Sequence, residues 1–259
     1  MARPLPTIVF FAGAFADPSC FNRLAALFND AGYPTVYATA LSLNPSDPAD
    51  ITTAKDAQHA REKVLLPLVE DENKEVVVFT HSYGGVVGGA AAAGLSKSAR
   101  KAEGKKGGGV IGLLYLVGNI VCEGETLLQA VGGAYPPFIK ENNPSKGLAI
   151  IDPVMEILYN DVDISLKAEM EAGMIPNALA AFETPSGPPA WAEPEFNGRR
   201  TYLKTINDQC NPLFLQDMWL QKSAVEWETV DIQTSHCPFI SRPAEVADIC
   251  VGIFKRWAE

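Results

Sequence analysis

An alcohol, an imidazole and a carboxylate that can reach one another are enough to open a carboxylic ester, and this chain offers a narrow choice of each. In Phe79-Thr80-His81-Ser82-Tyr83-Gly84-Gly85, an apolar run ends on a serine and passes straight into a stretch rich in glycine and alanine. That pattern suits a nucleophile held on a strained strand-to-helix turn, where the residues two before and two after it must be small. Gly84 meets the requirement, whereas Thr80 stands where glycine is usual. A serine hydroxyl needs a base to take its proton, and the chain has 3 histidines. His81 adjoins the serine, and neighbouring side chains on such a turn diverge. His59 falls within a helical stretch beside Gln58 and Arg61, on a side expected to face solvent. His236, in Thr234-Ser235-His236-Cys237-Pro238-Phe239, sits between the last strand and the last helix, where open parallel sheets place their sites. The base needs a carboxylate in turn, to hold its tautomer and stabilise the imidazolium. Asp208 follows the strand Thr201–Thr205 in the loop Asn207-Asp208-Gln209, one strand–loop–helix unit ahead of His236. Taken alone, a loop aspartate is as often a turn or cap residue. Asp217 on the next helix and Asp231 inside the last strand are weaker candidates.

Those three positions are useful only if strands and helices alternate so as to bring them to one rim. Thr7–Phe11 and Thr35–Ala38 read as strands, with a helix between them entered at Asp17-Pro18, an N-cap followed by a proline in the first turn. Residues 51–70 read as a helix whose last turn is disturbed by Pro67. Val76-Val77-Val78-Phe79 looks like a central strand buried on both faces, and Val110–Val117 like a second. Residues 84–95 form a small-residue helix, and 96–109 a lysine- and glycine-rich surface loop. After residue 122 the alternation stops. Residues 122–197 show short helix signals and prolines at 185, 188, 189 and 194, without a convincing buried strand. It resumes with strands at 201–205 and 226–232 and a closing helix to Trp257. The expected fold is therefore α/β, a mostly parallel central sheet flanked by helices, with residues 1–121 and 198–259 as core and 122–197 as an inserted helical cap.

Composition narrows the partners. The chain has 259 residues, 47% of them apolar, enough for one α/β domain with an insert. A formal charge of −10 argues against nucleic acid or an anionic membrane as the main partner. The 5 cysteines, scattered and without a CxxC pair, read as reduced thiols of a cytoplasmic protein rather than a disulfide framework or zinc site. The first apolar run is too short for a membrane span and is read as a strand rather than a signal peptide.

With these residues in place, the chain resembles the α/β-hydrolases, nearest the branch holding plant methylesterases of the salicylate-binding type and the hydroxynitrile lyases. The resemblance covers nearly the whole chain and rests on Phe11-Ala12-Gly13-Ala14-Phe15, His81-Ser82-Tyr83-Gly84-Gly85, Leu114-Tyr115-Leu116-Val117, Asn207-Asp208 and Ser235-His236-Cys237-Pro238-Phe239. It implies a Ser82–His236–Asp208 triad, an oxyanion hole made by the backbone N–H groups of Ala14 and Tyr83, and no metal or organic cofactor. Phe15, Tyr83 and Trp191 are the expected substrate-binding residues. Leu158, Tyr159, Met170, Met174, Leu179 and Phe182 are further candidates for a cap wall. Departures are informative. Ala12 replaces the family's usual histidine, and Gly13 and Cys237 stand where the lyases carry threonine and lysine. The expected activity is hydrolysis of a small or medium hydrophobic ester, its small-molecule partner. A lyase or carbon–carbon cleaving enzyme on the same triad and a slow-turnover ligand receptor are the alternatives, and a homodimer is left open.

Overall fold

The computed structural model describes residues 4–258 of the chain. Six strands form one parallel sheet: β1 (Thr7–Phe11), β2 (Thr35–Ala38), β3 (Glu75–His81), β4 (Gly109–Leu116), and, after three short strands outside it, β8 (Arg200–Thr205) and β9 (Glu228–Ile232). Their order across the sheet is β2-β1-β3-β4-β8-β9, and every adjacent pair is parallel. β1 and β4 are buried at every residue, which is why they read as continuous apolar runs rather than alternating ones. Helices Asn22–Asp30 and Pro243–Ala258 cover one face, joined by rings such as Phe28 and Phe254 at 5.5 Å. Helices Thr53–Ala60 and Gly84–Ala91 pack on each other away from that pair. No helix among the described residues is long and apolar enough to cross a membrane.

Pro67 disturbs its helix as expected, and the form of the disturbance is now visible. Beyond Thr53–Ala60 the chain widens into π-helical turns at Arg61–Leu65 and Pro67–Asp71, with Glu72 N donating to Pro67 O. A proline lacks the N–H that a regular turn would use, and a wider turn accommodates the gap. The lysine-rich segment after residue 95 is not all loop. Ser96 accepts from Ala99 N and starts the helix Lys97–Ala102.

The inserted segment lies between β4 and β8, neighbours in the sheet, so it stands over the carboxyl ends of the central strands. It is not purely helical. Besides short helices it holds an antiparallel sheet of β5 (Ile139–Glu141), β6 (Leu148–Ile151) and β7 (Asn177–Ala178). Strands of two to four residues are too short for a period-2 pattern to show. The β5–β6 turn is held by Gly147 N donating to Asn142 Oδ1 at 2.9 Å.

Candidate active site

Ser82 leaves β3 with φ +51°, a left-handed backbone that a non-glycine residue adopts only where its surroundings compel it. The compulsion is local. Ser82 O accepts from Gly85 N at 2.9 Å and from Asn119 N at 2.8 Å, tying the turn to the end of β4. A methyl group on Gly84 would stand 2.2 Å from the Phe11 carbonyl oxygen, so only glycine lets the following helix approach β1. Thr80 is accommodated by glycines opposite it. Cβ atoms on Gly88 and Gly118 would lie 2.7 Å from its Cγ2 and 2.8 Å from its Oγ1. Its hydroxyl donates to Leu114 O.

His236 and Asp208 come together from the loops after β9 and β8. His236 Nδ1 lies 2.7 Å from Asp208 Oδ2, and both residues are buried. Asp208 is held by three other donors. Thr205 Oγ1 reaches Oδ2 at 2.8 Å, and the backbone N–H groups of Cys210 and Asn211 reach Oδ1 at 2.8 Å. Such donors fix the orientation of the carboxylate. Ser82 and His236 line the same small cavity, so hydroxyl, imidazole and carboxylate gather at one rim of the sheet. The rival carboxylates stay apart: Asp217 pairs with Lys204 at 2.6 Å, and Asp231 is exposed.

His81 diverges from the serine as expected, but it is not idle. Its Nε2 donates to the His236 carbonyl oxygen at 2.9 Å, and the rings stand 4.6 Å apart. Burial, then the neighbouring His236, holds the His81 pKa well below the usual histidine range, so it is a neutral donor bracing the His236 backbone. A second brace comes from the inserted segment. Asp161 accepts from Ser235 N at 3.1 Å, from the Ser235 hydroxyl, and from Ser241 Oγ at 3.0 Å.

The two amides expected to bind an oxyanion, Ala14 N–H and Tyr83 N–H, meet no protein acceptor among the described residues. Phe15, next to the first, has φ +65°, with its carbonyl accepting from Ile175 N at 2.8 Å. The Tyr83 hydroxyl donates to Asp56 Oδ2 at 2.8 Å, while Ser42 N donates to Asp56 Oδ1 at 3.0 Å. Asp56 has 0% exposure, and burial raises its carboxyl pKa. Burial, followed by Asp56, pushes the Tyr83 phenol well up. Phe182 of the inserted segment packs on both Phe15, at 5.9 Å, and Tyr83, at 5.4 Å.

Two cavities flank Ser82. The larger, of about 270 Å³, takes Phe15, Tyr83 and Phe182 into its wall together with Leu127, Phe138 and Phe214. The smaller, of about 50 Å³, is lined by His236, Cys237, Leu158 and Tyr159. Ala14, Phe15, Ser82, Ile139 and Cys210 belong to both. Trp191 lines neither, contrary to expectation. The turn Ala190–Ala192 returns to the core, and the Trp191 ring packs 6.4 Å from Trp227, beside Gly89. Met174 and Leu179 also stay outside both cavities, and Met170 faces a separate cleft. Missed beforehand were the residues from Leu127 to Ile139, although Thr126 and Gln129 write a capping box ahead of an apolar face.

Comparison with known proteins follows the same lines. The chain is 24% identical over 240 residues to the alpha/beta hydrolase nvfD of Aspergillus novofumigatus, covering 92% of each. In structure it is similar to a pyrethroid hydrolase, with a TM-score of 0.74 and 17% identity over 98% of this chain and 99% of that one. It is likewise similar to polyneuridine aldehyde esterase, at 0.71 and 14% over 96% and 99%. A methylesterase from Arabidopsis gives 0.68 and 17% over 97% and 100%. Residues 8–249 match the model of the alpha/beta hydrolase family, and to that family the chain belongs.

Proposed function

We propose that the protein is a serine hydrolase cleaving hydrophobic carboxylic esters through Ser82, His236 and Asp208. The observation that carries this reading is the 2.7 Å His236–Asp208 contact beside a serine on a strained turn, opening on one cavity. Ser82 Oγ attacks the ester carbonyl carbon while His236 Nε2 accepts its proton. The oxyanion is received by Ala14 and Tyr83 N–H, fixed donors that need no reorganisation and are each worth about 3 kcal/mol of barrier. As the tetrahedral intermediate collapses, the imidazolium gives its proton to the departing alkoxide and leaves an acyl-Ser82. Water, deprotonated by His236, then repeats the sequence and releases the acid.

The leaving oxygen must lie within reach of His236, and it is the 50 Å³ cavity that His236 lines. The alcohol therefore occupies the small side and the acyl group the apolar 270 Å³ side. Cys237, where a lyase would carry a cation, is buried and neutral or negative in either protonation state, so it supplies no positive charge to stabilise a leaving anion. The test is release of acid from methyl phenylacetate at constant pH, together with labelling by a fluorophosphonate. Ser82→Ala is expected to abolish both. Ester turnover that survives in that variant, or benzaldehyde release from mandelonitrile at a rival rate, would overturn the reading.

A further inference from the structure

The small cavity beside Ser82 has a wall one side chain thick. Behind it, open to the surface, lies a cleft of about 430 Å³ between residues 16–23 and the helix Lys167–Ala172. Two residues, Ala16 and Tyr159, line both spaces. Ala16 is held by an antiparallel bridge to Met174 and offers only a methyl group, so the bulk of the partition is the Tyr159 ring. That residue is 6% exposed, and its hydroxyl lies beside the Cys237 thiol of the inner cavity. Its backbone is secured separately, by Tyr159 N donating to Met155 O at 3.0 Å and Val162 N donating to Tyr159 O at 2.9 Å. The cleft itself is crossed by the Arg23–Glu169 pair at 3.3 Å, both partners exposed and weakly joined.

We propose that Tyr159 sets the size of the alcohol the enzyme releases, by closing the leaving-group cavity off from the surface cleft. The inference rests on the ester-hydrolase reading above. At about 10–15 Å³ for each water it can hold, a cavity of about 50 Å³ takes about three to five waters, the room of an alkoxy group of up to about three carbons. A benzyloxy group exceeds that room, and forcing it in displaces the ester from Ser82 and from the two amides. Without the Tyr159 ring the inner cavity and the cleft become one space, and a bulky alcohol can extend through it to solvent.

The test uses one acid, phenylacetic acid, as its methyl, n-butyl and benzyl esters, with acid release followed at constant pH. For the wild type, kcat/KM is expected to fall by about tenfold or more from methyl to benzyl. Tyr159→Ala should raise the benzyl-to-methyl ratio by about tenfold or more, whereas Tyr159→Phe should leave it unchanged. Thermal melting and fluorophosphonate labelling report whether each variant is folded with an intact Ser82. If Tyr159→Ala does not fold, Tyr159→Leu keeps apolar bulk and should admit n-butyl before benzyl. A wild type indifferent to alcohol size overturns the proposal, as do folded, labelled variants with an unchanged ratio. Failure of the wild type to label or to cleave any ester overturns the hydrolase reading and this inference with it; cleavage with unchanged ratios overturns this inference alone.

Discussion

Replacing Asp208 by asparagine removes a charge while keeping the shape, and the surrounding donors dictate which way the amide must point. Oδ1 accepts from two backbone N–H groups at 2.8 Å, neither of which can turn away. An NH2 group there would face two donors at about 1–3 kcal/mol for each unsatisfied partner. The amide oxygen therefore takes that place, and the NH2 points at Thr205 Oγ1 and His236 Nδ1, which now meet Oδ2. The threonine hydroxyl can rotate and accept. The imidazole can comply only by baring Nδ1, which puts its proton on Nε2, the nitrogen that should receive the Ser82 proton. A wrong tautomer with no anion to stabilise the imidazolium costs about 10³–10⁴ in kcat, or about 4–5.5 kcal/mol of barrier. Folding should lose only about 1–2 kcal/mol, since all four hydrogen bonds are kept, two of them reversed, and only their charge assistance is lost. Asp208 lines neither cavity, so KM should hardly move. Steady-state hydrolysis of methyl phenylacetate and thermal melting, with Asp217→Asn and Asp231→Asn beside it, read all three quantities. A folded Asp208→Asn enzyme within tenfold of wild-type kcat would refute the assignment of Asp208 as the carboxylate that orients His236.

His81 carries a pH signature. Its folded-state pKa is depressed by burial, while the unfolded chain titrates near 6.5, so the unfolded state binds the extra proton and stability falls as pH drops below about 6.5, by up to about 1.4 kcal/mol per pH unit. His81→Gln keeps an N–H for the His236 carbonyl and should flatten that slope in urea unfolding between about pH 5 and 7; coincident slopes for the two proteins would contradict a neutral His81. Packing around the elbow can be probed with Gly88→Ala, whose methyl would stand 2.7 Å from Thr80 Cγ2 and is expected to destabilise by about 1–3 kcal/mol. Thr80→Ser removes that methyl and keeps the hydroxyl, so the double variant should recover about 1 kcal/mol, and strict additivity in a double-mutant cycle would show that the two positions do not compete for space.

What could be read from the sequence divides by range of cause. β1 and β4 are legible because burial at every residue leaves an unbroken apolar run. Ser82 is legible because its strained turn writes a steric requirement two residues away, at Gly84. Thr80 tests that reasoning, because a departure from glycine at one position is absorbed by Gly88 and Gly118, the latter on another segment of chain. Asp56, Asp161 and the bracing role of His81 leave no such mark. Asp56 meets Tyr83 from another helix, Asp161 reaches Ser235 from the inserted segment, and His81 finds a carbonyl far along the chain. Trp191 shows the same limit from the other side, since an aromatic residue in a segment over the site looks like a pocket wall until the chain is seen to turn back into the core. On the proposed reading, the chemistry is set by short-range constraints on strand ends, and the choice of substrate by how residues 122–197 and 209–215 settle on them. A change of specificity therefore needs no change within Ser82, His236 or Asp208. It needs only a different packing of residues such as Phe182, which touches Phe15 and Tyr83 together.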